Sequence, residues 1–562
     1  MGRNPVLQGM LSDRALPPVN RPAGSFSRVA VRRGQSRGAG DPKNRTRGLH
    51  SLRGRAMSRN KQHTIRSGVT LPEWPWRVVG KLAHERGIRF WLVGGAVRDT
   101  LLGRPLHDWD FAVDRDAMLL ARAVGDALGG FFFPLDEERG TARVVLEADG
   151  NPSLELDFAL LRAPSLEGDL AARDFTINAM AIDENQQLMD PLGGRRDLET
   201  RCIRAVNRDV FSDDPARLLR ALRLEAELDF ETDPRTESWI RQDAALLADP
   251  AEERLRDEFV RGLTVSRAAS FILRLDHLDL LVHLMPDLIL LKGVSQSHPH
   301  RFDVWRHTLS VIEMLEGVIA TVTGEPAAAG SDRLKTVGTS AWGDLTRWVG
   351  QFAGALQHHL TVVVCDDRDR MLLLRLAALL HDIGKPQTQS VDEDDRIHFY
   401  GHELVGARLA VARLRTLRFG RREVSRVRTM IQAHLRPAQL AREGKVTRRA
   451  IYRYFRDTGD AGVETVLLSL ADHLATWGPN LREGRWAKRL ETAALLLDHY
   501  FERPQQSVSP QLPIDGHDLM RVLDIEPGPE VGRLLDLLRE AVAAGEVETR
   551  EEILELAQKS AR

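Results

Sequence analysis

Apolar and polar positions settle into regular periods from about Leu71 onward. Glu73 to Glu85 repeats its apolar residues at helical spacing, Ile88 to Val93 is a short apolar run, Ala96 to Leu102 returns to the helical period, and Asp110 to Val113 is again extended. A helix over Ala117 to Leu128 follows, then strand-like runs over Gly130 to Pro134, Ala142 to Leu146 and Leu154 to Leu161, with the acidic Asp136 to Gly140 as a mobile loop between two of them. A second Gly-Gly turn and a strand lie between Asp190 and Val206, and after Val206 the strand period stops. The expected fold class is therefore α+β: an N-terminal α/β head with a mixed sheet, then an all-α neck, a helical body and a helical tail.

Composition refines this picture. At 562 residues the chain has room for three or four domains, at about 150 residues each. The expected boundaries are a disordered basic extension over 1–66, the head over 67–206, the neck over 207–295, a body over 296–480 and a tail over 481–562; an insertion interrupts the body around 323–345. A net charge of -1 conceals an arginine-rich start, with only Asp13 and Asp41 as acids before residue 67. That start reads as disorder or an upstream extension ahead of Met57, with a transit peptide as the alternative. Only Cys202 and Cys365 are present, so no disulfide framework and no cysteine zinc site are expected. No run of eighteen apolar residues occurs: Leu278 to Leu291 is broken by Asp279, His283, Pro286 and Asp287. A cytoplasmic protein with no membrane partner is expected, and the sequence leaves the oligomeric state open.

The stretch FWLVGGAVRDTLLGRPLHDWDFAVD, from Phe90 to Asp114, carries the first chemistry. Gly94 and Gly95 let the backbone approach a phosphate, with a helix start behind them. Asp108 and Asp110 are two apart on a strand and share a face, which suits divalent metal and phosphoryl or nucleotidyl transfer. Asp157, on a later strand, is a candidate third acid. In Arg173-Asp174-Phe175-Thr176-Ile177-Asn178, a capping acid and an arginine able to meet a triphosphate lie on a loop entering a helix. Arg217, Arg220 and Arg223 recur every three residues behind Asp213-Asp214-Pro215, as a stripe facing either solvent or a ligand.

Gly94-Gly95-Ala96-Val97-Arg98-Asp99, Asp108-x-Asp110, Arg173 to Met180 and Asp214-Pro215-Ala216-Arg217 resemble, in order and spacing, the head and neck of class II tRNA nucleotidyltransferases and bacterial poly(A) polymerases. Two departures stand out: Ala172-Arg173-Asp174 where many members have Arg-Arg-Asp, and Asp213-Asp214 where the motif usually begins Glu-Asp. The resemblance implies catalysis by Asp108, Asp110 and Asp157 with Mg²⁺ in the head. It implies nucleotide contacts from Gly94, Gly95, Arg98, Asp99, Arg173, Asp174, Asn178, Asp214, Arg217, Arg220 and Arg223, and CTP, ATP and the tRNA 3′ end as partners. Asp214 would accept from the exocyclic amine of cytosine or adenine and Arg217 would donate to the adjacent ring nitrogen, a pattern that guanine and uracil reverse.

Farther along, His307, His381-Asp382, His402, His434 and Asp472 follow in an order that resembles the HD superfamily of metal-dependent phosphohydrolases. This implies a divalent metal of unspecified identity held on several helices and water activated for attack on a phosphate ester. Pro513 to Leu519 resembles the motif of the tRNA-contacting tail. The function expected is CCA addition or repair on tRNA, with possible HD phosphohydrolase activity. Relatives adding only A, only CC or a poly(A) tail are the first alternative, and a chain that is chiefly an HD phosphohydrolase is the second; a purely RNA-binding protein is the third.

Overall fold

The computed structural model describes residues 71, 73–106, 108–148, 151–249, 251–265, 267–324, 337–442 and 444–561. The expected basic extension over 1–66 and much of the insertion, 325–336, lie outside the described residues.

The head is built on seven strands: β1 (Phe90–Val93), β2 (Asp108–Val113), β3 (Phe131–Asp136), β4 (Thr141–Ala148), β5 (Asn151–Leu160), β6 (Ala181–Ile182) and β7 (Leu188–Met189). Their order in the sheet is β3-β4-β5-β2-β1-β6-β7. All neighbours are antiparallel except β2 and β5, which run parallel with Asp108 opposite Glu155 and Asp110 opposite Asp157. Residue alternation on β2 explains why that register is stable. Trp109 and Phe111 point into the core, 2% and 1% exposed, where Phe111 stacks on Phe158 at 5.0 Å. Burying two large rings contributes several kcal/mol, at about 1.5–3 kcal/mol per large apolar side chain, and a one-residue slip would bring the aspartates inward in their place.

β8 (Cys202–Ile203) pairs in parallel with β9 (Glu231–Thr232). Strand structure therefore continues past Val206, in a small two-stranded sheet that ties the end of the head to the neck. The helical neck expected after Val206 is interrupted at its start: Val210–Asp213 forms one turn, Asp214 is extended (φ -152°, ψ 94°), and Ala216–Leu228 is the main neck helix. Pro215 ahead of Ala216 explains the restart, because proline disfavours helical geometry in the residue before it.

The body is mostly helical. Its principal helices are Val304–Thr323, Arg370–Leu380, His402–Thr416, Arg421–Ala433 and Ala461–Trp477. Two small hairpins, Val363–Cys365 with Arg368–Asp369 and Gln389–Val391 with Ile397–Phe399, break the all-helical pattern expected there. The end of the expected insertion is ordered as the helix Thr339–Val349, with Ala341 and Leu345 buried and the Ala341 carbonyl accepting from the Trp486 indole at 3.2 Å. In the tail, Asp515 and Asp518 cap the helix Gly516–Leu523 reciprocally and Arg550 binds Asp518, so these motif acids hold a helix start. No helix is long and apolar enough among the described residues to cross a membrane, and both cysteines are free thiols.

Candidate active site and metal centre

Asp110 and Asp157 face each other across β2 and β5, on the face opposite the aromatic core. Burial and then the Asp157 charge push the Asp110 carboxyl up to about 6, against the pull of Arg173. Asp157 is held by both nitrogens of an Arg143 fork, each at 2.8 Å, and Arg143 also pairs with Glu155. Asp108, at the exposed end of β2, is the freer of the two aspartates two apart. Gly94 has φ +72°, and a Cβ there would lie 3.1 Å from Asp110 Oδ2 and 3.2 Å from an Arg173 guanidinium nitrogen. This is the close approach for which glycine is needed. The acidic face, the backbone cradle and the elevated Asp110 together fit a divalent cation, whose charge favours the ionised carboxylate.

Arg173 is aimed at this face by Asp169, a buried acid that receives two of its nitrogens, the nearer at 2.8 Å. The Arg162 guanidinium is pushed down by burial, then by Arg173, with Arg217 adding to the effect against Asp169. Three arginines therefore gather where head meets neck. Arg217 donates to the Ala172 carbonyl at 3.2 Å and lies 3.7 Å from Asp214, its Nε buried without a hydrogen-bond partner. Asp214 in turn takes Arg254 at 2.7 Å and sits below the usual carboxylate range: burial opposes this, but Arg254, Arg217 and Arg220 outweigh it.

The other nucleotide candidates form a connected polar network. Arg98 forks onto Asp99 and donates to Asn178 Oδ1 at 2.8 Å; Asn178 donates to Asp174 at 3.0 Å, and Asp174 accepts from Arg220 at 3.1 Å. Glu258, 6% exposed, then accepts from Arg220 and Arg223, each at 2.7 Å. Arg220 and Arg223 share the Glu258 carboxylate, while Arg173 is held by Asp169 beside Gly94 and Arg217 lies against Asp214 and Ala172. Arg143, Asp169, Arg254 and Glu258 escaped the sequence reading because each acts through a partner from another element. Only Asp169 carried a local signal, four residues before Arg173 at the end of a short helix.

In the body, His307 lies in the helix Val304–Thr323, His381 caps the helix Arg370–Leu380, His402 opens the helix His402–Thr416, His434 caps the helix Arg421–Ala433, and Asp472 lies in the helix Ala461–Trp477. The six expected side chains converge. His307 Nε2 is 3.1 Å from Asp472 and 3.6 Å from Asp382; His381 and His402 approach Asp382 at 3.1 and 3.4 Å; and His402 Nε2 is 3.4 Å from His434 Nε2. Donor atoms of His307, His381 and Asp382, and of Asp382, His402 and His434, lie within 4.8 Å of one another. The Nδ1 atoms of His381, His402 and His434 meet backbone carbonyls three residues earlier at 2.7–2.8 Å, which fixes Nδ1 as the protonated nitrogen and leaves Nε2 as the free donor.

His307 Nε2, His381 Nε2 and Asp382 Oδ2 are buried, and the partners they meet are Asp472, one another and Lys385. Buried nitrogen and oxygen donors converging on one point fit a divalent metal. Burial, His381 and His402 bring His434 down to about 3, so its ring is neutral at neutral pH, the form able to hold a metal. Asp382 sits well below the usual range: burial opposes this, but His381 and Lys385 outweigh it. Lys385, 2.7 Å from Asp382, was not singled out from the sequence, although its place three residues on from Asp382 was legible.

Family models match in chain order: "Poly A polymerase head domain" over 90–204, "Probable RNA and SrmB-binding site of polymerase A" over 229–291, "HD domain" over 346–477 and "tRNA nucleotidyltransferase domain 2" over 485–557. The chain is 36% identical over 468 residues to the A-adding tRNA nucleotidyltransferase of Deinococcus radiodurans, covering 82% of this chain and 93% of that protein. It is 33% identical over 476 residues to the CC-adding tRNA nucleotidyltransferase of Geobacter sulfurreducens, covering 84% and 93%. Its fold is similar to that of a CCA-adding enzyme solved with ATP, at a TM-score of 0.55 and 22% identity, covering 87% of this chain and 95% of that one. The chain belongs to the class II tRNA nucleotidyltransferase and poly(A) polymerase family, and it carries that family's head together with an HD domain.

Proposed function

We propose that this chain adds the terminal adenosine to tRNAs ending in CC, by nucleotidyl transfer from ATP in the head. The observation that carries the reading is the placement of Arg217 against Ala172: it sets the Asp214–Arg217 pair beside Arg173, which itself borders Gly94 and Asp110. A nucleotide held there spans from base to triphosphate. Asp214 accepts from an exocyclic amine, Arg217 donates to the neighbouring ring nitrogen, and guanine or uracil would leave a charged partner unpaired. Arg173 meets the triphosphate with its guanidinium fixed by Asp169, so little orientation is lost on binding. Magnesium at Asp108 and Asp110 would supply Lewis acidity to the tRNA 3′-hydroxyl and the α-phosphate. Asp110 must be ionised to take part, and it is held close to that condition near neutral pH.

Asp214 and Arg217 admit both C and A. The choice of A over complete CCA synthesis draws on likeness over length: the A-adding relative matches over 93% of its length, while a multifunctional CCA protein of Azoarcus matches over 58% of this chain and 68% of its own. CC addition is the second reading, favoured by the CC-adding relative of Geobacter. The HD domain is proposed as a separate phosphohydrolase, with the buried, convergent His and Asp donors as its support. Asp110→Ala is expected to abolish incorporation of labelled ATP into tRNA while hydrolysis of a phosphomonoester persists, and His381→Ala to do the reverse. Loss of both activities in either variant would contradict the assignment of two separate sites.

A further inference from the structure

The His/Asp cluster opens into a cavity of about 1160 Å³, larger than a site for one small phosphate ester requires. Arg442, Arg485 and Arg489 line the same cavity, and among the described residues none of them forms a salt bridge. They share a neighbourhood with Asp472, whose carboxylate attracts Arg489 while Arg442 and Arg485 repel it. His473, next in sequence to Asp472, lines the same cavity. It is 6% exposed, its ring is stacked on Trp486 at 5.9 Å, and its Nε2 is buried without a hydrogen-bond partner. Trp477 adds an aromatic wall, with the Arg485 guanidinium 5.1 Å from its ring centroid.

Clustered cations cost free energy through mutual repulsion, which Asp472 offsets in part and an anion relieves further. A phosphate at the metal donors leaves this second basic group unfilled, and the aromatic wall suits a nucleoside lying between two phosphates. We propose that the HD cavity takes a nucleotide bearing two phosphates one nucleoside apart, one at the His/Asp cluster and the other on Arg442, Arg485 and Arg489. The inference rests on reading the HD domain as a metal site for phosphate esters. Two sources share the chemistry, a free nucleoside bisphosphate and an RNA end carrying a 3′-phosphate.

The test is calorimetric titration of the full chain, loaded with Mn²⁺, with UMP, uridine 3′,5′-bisphosphate and the 3′-phosphorylated dinucleotide UpUp. At least one doubly phosphorylated probe should bind roughly tenfold or more tighter than UMP; the tighter of the two names the source. In Arg485→Met/Arg489→Met that gain should vanish while Mn²⁺ content, measured by atomic emission, and head-dependent ATP incorporation are retained. Equal affinity for all three probes, or a gain that survives the double substitution, would overturn the second phosphate subsite. Mn²⁺ content no higher in the wild type than in His381→Ala would instead overturn the metal-site reading beneath it.

Discussion

Asp110 shows how one residue couples fold to chemistry. Its carboxyl sits at about 6 because it is buried and faces Asp157, instead of near 4 as in an unfolded chain. The folded protein therefore binds an extra proton between about pH 4 and 6, so the metal-free fold loses stability as pH rises through that window. The loss is complete above it, on the order of 1–3 kcal/mol. Asp110→Asn is expected to raise the melting temperature above wild type at pH 7.5 without divalent metal, to lose that advantage at pH 4, and to reduce nucleotide addition roughly a hundredfold or more. Thermal unfolding at the two pH values checks the sign, and an equal shift at both would contradict the proton linkage. Asp108 and Asp110 were legible because the strand period needs only their spacing of two. Arg143 was not legible, because it reaches Asp157 through a strand register that only the folded sheet fixes.

Elements decide which arginines are free. Arg217, Arg220 and Arg223 recur every three residues in one helix, but the helix Glu252–Thr264 supplies Glu258 to Arg220 and Arg223, and Arg254 to Asp214. The stripe was readable in the sequence; its partners on a second helix were not, because helix pairing depends on tertiary packing. Glu258→Gln removes the carboxylate that Arg220 and Arg223 share and leaves Arg220 to Asp174 and Arg223 to Glu227; a destabilisation of about 1–3 kcal/mol is expected, less than for a fully buried pair because Arg220 is partly open to water. A melting temperature equal to wild type would contradict that role. Gly384 has the corresponding place in the body: a Cβ there would come within 2.3 Å of the His402 carbonyl and 2.5 Å of the Gly406 nitrogen. Gly384→Ala must therefore displace the helix that begins with His402. It should lower Mn²⁺ content while leaving ATP incorporation by the head in place, and undiminished metal content would show that His402 tolerates the shift.

At the scale of the whole molecule, the α+β plan and the grouping of His307, His381, Asp382, His402, His434 and Asp472 were legible, because strand and helix periods and the metal-ligating residue types survive in the linear order. Short features were hidden. The strand expected between Asp190 and Val206 is there as β8, but its partner β9 is two residues long, and the hairpins inside the body are too brief to impose a period. The interruption at Asp214 was also missed, although Pro215 marked the place; its consequence is that Asp214, the carboxylate proposed to select the base, sits on an extended link between two helices. Which nucleotides the chain adds is a property of the assembled head and neck. The most direct measurement offers purified protein and Mg²⁺ three tRNA transcripts, ending at the discriminator base, at C and at CC, each with labelled CTP or ATP, and reads product length on a sizing gel. One adenosine added to the CC transcript, with no extension of the other two, is the predicted result. Stepwise addition of C, C and A to the shortest transcript, C addition alone, or a long A tail would contradict it.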